Sequence, residues 1–203
     1  MNKFPFFKGV KLLVSDLDGT LTYSTIPETG FISNLTAYLD EVPTIKRCTL
    51  SLVEKLEILL NYYHDKEHLL MFLESSFPYK IIVTDRSIEG LGVLLNTLNK
   101  KEQELFSSLN AIQVRKSKGK YSSYYSVPIW ESEVIKPHPD IFERVANFAL
   151  LAGLHPQEVM VADDSLKTRI LAKKKYNFKI WPDNTEDMKI KQMSHLHTLL
   201  SFH

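Results

Sequence analysis

The chain has 203 residues, 44% hydrophobic and 24% charged, and its 25 basic against 24 acidic residues leave a net charge of +1. That balance excludes a general attraction to nucleic acid or membrane surfaces, and the length suits one well-buried domain spanning residues 1–203. One cysteine, Cys48, excludes an internal disulfide framework and fits a reducing compartment, with a packed thiol as its simplest role.

Residues 1–8 are aromatic but too short and interrupted for a signal-peptide core, and no stretch reaches the ~20 apolar residues of a membrane span. The expectation is a soluble chain, cytoplasmic by default, with export lacking an amino-terminal signal left open. Short, largely apolar runs at residues 10–15, 80–84, 158–162 and 178–181, and a weaker one at 111–114, read as strands. Segments 50–63, 68–73, 89–98, 140–151 and 166–175 carry apolar residues at helical spacing, and 185–202 reads as a last helix. This alternation predicts an α/β fold: a doubly wound, mostly parallel Rossmann-like sheet of about five strands with right-handed crossovers. Residues 22–77 have room for a small cap or flap and its helices. His195 and His197 are two apart on that last helix and point away from each other, so with His203 they make a poor metal site.

Chemistry concentrates at strand ends. The first strand runs into Asp16-Leu17-Asp18-Gly19-Thr20. The two carboxylates can share one face if extended geometry persists through Leu17. Like charges that close repel unless a cation or proton lies between them, which points to Mg²⁺ or acid–base work. A calcium loop of the EF-hand type is excluded, because its fifth and twelfth positions would be Thr20 and Pro27. A plain Asp-Gly turn is the alternative. The second strand ends in Thr84-Asp85-Arg86-Ser87 before a helix, where a hydroxyl and backbone N–H groups can hold phosphate. Lys136 precedes Pro137-His138-Pro139, outside the next helix, and the fourth strand ends in Asp163-Asp164.

In this order the four pieces resemble the motifs of the haloacid dehalogenase (HAD) superfamily phosphohydrolases: Asp16-Leu17-Asp18-Gly19-Thr20 the first, Thr84 the second, Lys136 the third and Asp163-Asp164 the fourth. The resemblance covers residues from about 8 to 182. It implies that Asp16 attacks phosphorus to form an aspartyl-phosphate, while Asp18 protonates the leaving oxygen and then deprotonates water. It implies Mg²⁺ held by Asp16, the Asp18 backbone carbonyl and Asp163, with Asp164 joining through water. Thr84, Asp85 and Lys136 would hold the phosphoryl group. By the same resemblance, Asp18 favours a phosphatase or phosphomutase over the family's dehalogenases and transport ATPases.

The fourth motif departs from the family pattern in two ways. Ala162 replaces a usual Gly, and Lys167, Thr168 and Arg169 stand where many members carry an acid. Lys167 and Arg169 read as solvated helix residues, or as cations that favour an anionic substrate.

A modest or absent cap leaves an open site, which by the family resemblance implies a large substrate such as a phosphoprotein, or capping by another subunit. The leading expectation is a protein phosphoester such as phosphotyrosine, with the magnesium-dependent tyrosine-type HAD phosphatases as the nearest subgroup. A basic run at residues 115–120 followed by Tyr121, Tyr124 and Tyr125 would suit a phosphopeptide, or be a solvated loop. The alternatives are a phosphatase for small metabolites, such as a sugar phosphate or nucleotide, and a catalytically silent HAD-fold binding module.

Overall fold

The computed structural model describes residues 8–24, 64–116 and 126–183. The expected helices over 50–63 and 185–202, Cys48, Tyr121, Tyr124, Tyr125, His195, His197 and His203 lie outside these residues, as does most of the expected cap.

Eight strands are described: β1 (Leu12–Ser15), β2 (Tyr23–Ser24), β3 (His64–Asp65), β4 (Tyr79–Ser87), β5 (Ala111–Arg115), β6 (Ile129–Ser132), β7 (Val159–Ala162) and β8 (Lys179–Trp181). Six form one sheet in the order β6-β5-β4-β1-β7-β8, every neighbouring pair parallel. The short β2 and β3 pair antiparallel on their own. The sheet thus has six strands where about five were expected; β6 is the addition. Its side chains are all half-buried at the sheet edge, so it lacks the apolar run that marked the others.

Among the described residues five α-helices accompany the strands: α1 (Glu67–Glu74), α2 (Ile88–Asn96), α3 (Lys100–Leu105), α4 (Glu143–Leu151) and α5 (Leu166–Tyr176). Side-chain alternation sorts the strands between two cores. On one face Leu13, Ile82, Ile112 and Met160 pack with Leu69 and Phe72 of α1 and Leu91 and Leu94 of α2. On the other, Leu12, Val14, Ile81, Val83, Val159 and Val161 pack with Val145 and Ala149 of α4 and Ala172 of α5. Both faces are covered, which is what an all-parallel sheet of Val, Ile and Leu requires.

This order also sets where a ligand can sit. From β1 the chain moves outward through β4, β5 and β6, then returns to the other side of β1 to lay down β7 and β8. Successive connections therefore leave β1 and β7 in opposite directions. The crevice at the carboxyl ends of those two strands is the topological switch point, where open α/β sheets bind their ligands. No described helix is long and apolar enough to cross a membrane.

Candidate active site

The β1–β7 ladder runs one step past its last strand residue. The Asp16 N–H donates to the Ala162 carbonyl at 2.8 Å, which sets Asp16 beside Asp163 at the switch point. Leu17 is fully buried in the α1–α2 core, an anchor between the two acids of the first motif. The loop then closes tightly: Leu21 and Thr22 N–H donate to the Leu17 carbonyl at 2.9 and 2.8 Å, and Gly19 N–H donates to Thr22 O at 2.7 Å. Thr20 joins the first and fourth motifs. Its hydroxyl donates to Asp16 Oδ2 at 3.4 Å and accepts from the Asp164 N–H at 3.1 Å.

One ammonium holds the two most buried acids together. Lys136 Nζ donates to Asp16 Oδ1 and, at 3.0 Å, to Asp163 Oδ2. The other Asp163 oxygen accepts from Ser165 N–H at 2.8 Å, at the amino end of α5. Burial pushes the carboxyl pKa values of Asp16, Asp163 and Asp164 upward, and in each case the Lys136 charge opposes it without prevailing. Burial works against the Lys136 ammonium too, but Asp16 and Asp163 outweigh it and raise its pKa. Lys136 therefore stays charged, and acidic groups are in excess, three against one ammonium.

That excess fits a divalent cation. One oxygen from each of Asp16, Asp163 and Asp164 can lie within 4.8 Å of the others. A donor set made only of carboxylate oxygens suits a hard cation such as Mg²⁺. Gly19 leaves room for it. Gly19 has φ +80°, and a Cβ there would stand 2.4 Å from Asp164 Oδ2, so any larger residue displaces that acid. Gly9 is an internal control, with φ +79° and nothing within 4 Å of its would-be Cβ. Gly9→Ala should cost only the backbone term, about 1–2 kcal/mol. Gly19→Ala should cost more in urea unfolding and weaken Mg²⁺ binding by calorimetry, whereas equal costs and unchanged Mg²⁺ affinity would contradict the close fit.

The expected site residues converge, with roles sorted by position. Asp16, Asp18, Asp85, Lys136, Asp163 and Asp164, together with Pro137, Ser165 and Thr168, line a cavity of about 220 Å³. Thr84 is not among its lining residues. It is buried just behind, donating to Asp18 Oδ2 at 3.4 Å and accepting from the Arg86 N–H at 3.1 Å. Asp85 Oδ1 accepts the Lys136 N–H at 2.9 Å, so this carboxylate positions the lysine's backbone. A carboxylate repels phosphate, which leaves the Asp85 main-chain N–H for any phosphate contact.

Three side chains gain roles the sequence reading did not give them. Arg169 is a correction: it is fully buried, not solvated, and its Nη1 donates to the Asp163 and Asp164 carbonyls at 2.6 and 2.8 Å, bracing the acid loop from below. Lys167 is exposed, as expected. Ser165 caps α5 by accepting from Thr168 N–H, a Ser just before a helical pattern that a search for caps finds. Arg86 forks onto Asp18, with Nε at 3.0 and 2.8 Å from its two oxygens, a contact with no local sequence signal. Of the basic run, Lys116 is committed to Glu133 at 2.6 Å.

No protein-family model and no curated protein matches the sequence. Among solved structures, a HAD-family enzyme from Bacteroides thetaiotaomicron, crystallised with magnesium and inorganic phosphate, is similar at 14% identity and TM-score 0.49, over 91% of this chain and 99% of that one. A haloacid dehalogenase-like hydrolase from Streptococcus pneumoniae is similar at 14% identity and TM-score 0.48, over 97% and 100%. A HAD-superfamily hydrolase of subfamily IA from Geobacter sulfurreducens is similar at 16% identity and TM-score 0.44, over 84% and 88%. What this chain's site can do follows from its own residues.

Proposed function

We propose that the protein is a HAD-type, Mg²⁺-dependent phosphomonoester hydrolase that works through an aspartyl-phosphate on Asp16. One observation carries the reading: Asp16 is a buried carboxylate at the switch point, bonded to Lys136 and within reach of two further acids. An Asp16 oxygen attacks phosphorus as the bond from phosphorus to the leaving oxygen breaks, and Asp18 gives that oxygen a proton. Asp18 then takes a proton from water as the water attacks phosphorus, which breaks the bond to Asp16 and releases phosphate. Lys136 neutralises charge on the phosphoryl oxygens and keeps Asp16 aligned. Asp16, the Asp18 carbonyl, Asp163 and Asp164 would hold Mg²⁺, which supplies further neutralisation of the phosphoryl charge.

The substrate we infer is a protein phosphoester, phosphotyrosine first. A cavity of about 220 Å³ among the described residues has room for a phosphoryl group and little more. Sites that engulf a whole small molecule run to about 300–1,000 Å³. The body of the substrate then lies outside, as a protein side chain allows. The test compares kcat/KM on phosphotyrosine peptides with a panel of sugar phosphates and nucleotides, with and without Mg²⁺. The expected outcome is at least tenfold preference for the peptides and dependence on Mg²⁺. Preference for any metabolite overturns the substrate assignment, and no hydrolysis at all favours a silent binding module.

A further inference from the structure

We propose that Arg86 is the positioning residue for Asp18, an inference that rests on Asp18 being the general acid of the reading above. The two residues are 68 positions apart and meet through a fork. Arg86 Nε donates to Asp18 Oδ1 at 3.0 Å and Oδ2 at 2.8 Å, and Nη2 donates to Oδ1 at 2.5 Å. The guanidinium is itself fixed, because Nη1 donates to the Gly90 carbonyl in the first turn of α2 at 3.3 Å. Thr84 closes the ring from behind: its hydroxyl touches Asp18 Oδ2 and accepts the Arg86 N–H.

Arg86 can be at this spot because the sheet is irregular here. The register between β4 and β5 shifts between Val83 and Ser87. Such bulges re-aim side chains beside active sites. Asp18, by contrast, stands on a tight turn with 42% of its side chain exposed, against 13% for Arg86. A carboxylate that exposed samples several rotamers unless something fixes it. A general acid must lie within hydrogen-bond reach of the leaving oxygen, and a planar guanidinium fork fixes the carboxylate plane as no point charge can.

Positioning an acid matters in proportion to how much the leaving group needs a proton. The tyrosine phenol, with pKa about 10, needs it. 4-Nitrophenolate, stabilised by its nitro group, leaves without one. Asp18 also serves as base in the later step common to both esters, so the readout is the single-turnover rate of Asp16 phosphorylation. Arg86→Gln should lower it about 30-fold with a phosphotyrosine peptide, a share of the roughly 10²–10⁴ that general acid catalysis contributes. Substrate affinity should stay within about twofold and the phosphorylation rate with 4-nitrophenyl phosphate within about threefold. Arg86→Lys, a charge without the fork, should restore only part of the loss, and it carries the same comparison if Arg86→Gln does not fold. In an Asp18→Asn background the Arg86 change should have no further effect on the peptide, since the two act as a unit. Equal falls in the phosphorylation rate on both esters, a loss of affinity alone, or additive losses would each overturn the assignment while leaving the phosphatase reading intact. A wild type inactive on both esters overturns both.

Discussion

Asp16→Asn should reduce phosphoester hydrolysis at least a thousandfold while leaving the protein folded and, at neutral pH, more stable. The activity loss follows because an amide cannot serve as the attacking oxyanion. The stability gain follows from burial, and Lys136 keeps Asp163 as its partner when Asp16 becomes an amide. The folded protein holds the Asp16 carboxyl proton more tightly than the unfolded chain does, because burial raises its pKa well above the ordinary 3.8 despite Lys136. A raised carboxyl contributes stability that is fully present below the unfolded value and is lost as pH climbs through the folded one. Asparagine carries no such dependence. Melting of the metal-free proteins should show the variant above wild type at pH 7.5, with the gap closing toward pH 4. Residual activity within tenfold of wild type, or a variant less stable at pH 7.5, would contradict the assignment.

Lys136→Met should damage both stability and activity. Its side chain is only 10% exposed, and among the described residues it is the cation bonded to both Asp16 and Asp163. Removing it leaves two buried carboxylates facing each other. Breaking a buried pair from one side typically costs about 3–5 kcal/mol, because the remaining charge stays desolvated. Urea unfolding at pH 7 should show a loss of that order. Millimolar Mg²⁺ should recover part of it by binding the same oxygens in the folded state alone. A loss below about 1 kcal/mol would mean the acids are not sharing the lysine's charge, and no recovery with Mg²⁺ would argue against the metal site.

What could be read from the sequence tracks how local its cause is. β1, β4 and β7 are apolar runs buried on both faces, and each was visible as such. β6 was not, because Trp130, Glu131 and Ser132 at a sheet edge carry no unbroken apolar signal. The short α3 was also passed over, although Asn99 and Glu102 form a capping box, a pattern present in the letters themselves. That the site residues would meet at one crevice was legible, because motif spacing puts acids, a hydroxyl and a lysine at successive strand ends. Their division of labour was not. That Asp85 positions Lys136, that Arg86 holds Asp18 and that Arg169 is buried under the acid loop depend on pairings made in three dimensions. Arg169 in particular reads as a surface cation until the two carbonyls that hold it are seen.

In the proposed reaction Asp16 becomes phosphorylated during turnover. Borohydride reduces an aspartyl-phosphate to homoserine, so trapping the protein during hydrolysis of a phosphotyrosine peptide with Mg²⁺, followed by peptide mass spectrometry, reads the site directly. The predicted result is homoserine at residue 16, dependent on substrate and Mg²⁺ and absent from Asp16→Asn. Active protein that yields no reduction product, or one at a different residue, would contradict it.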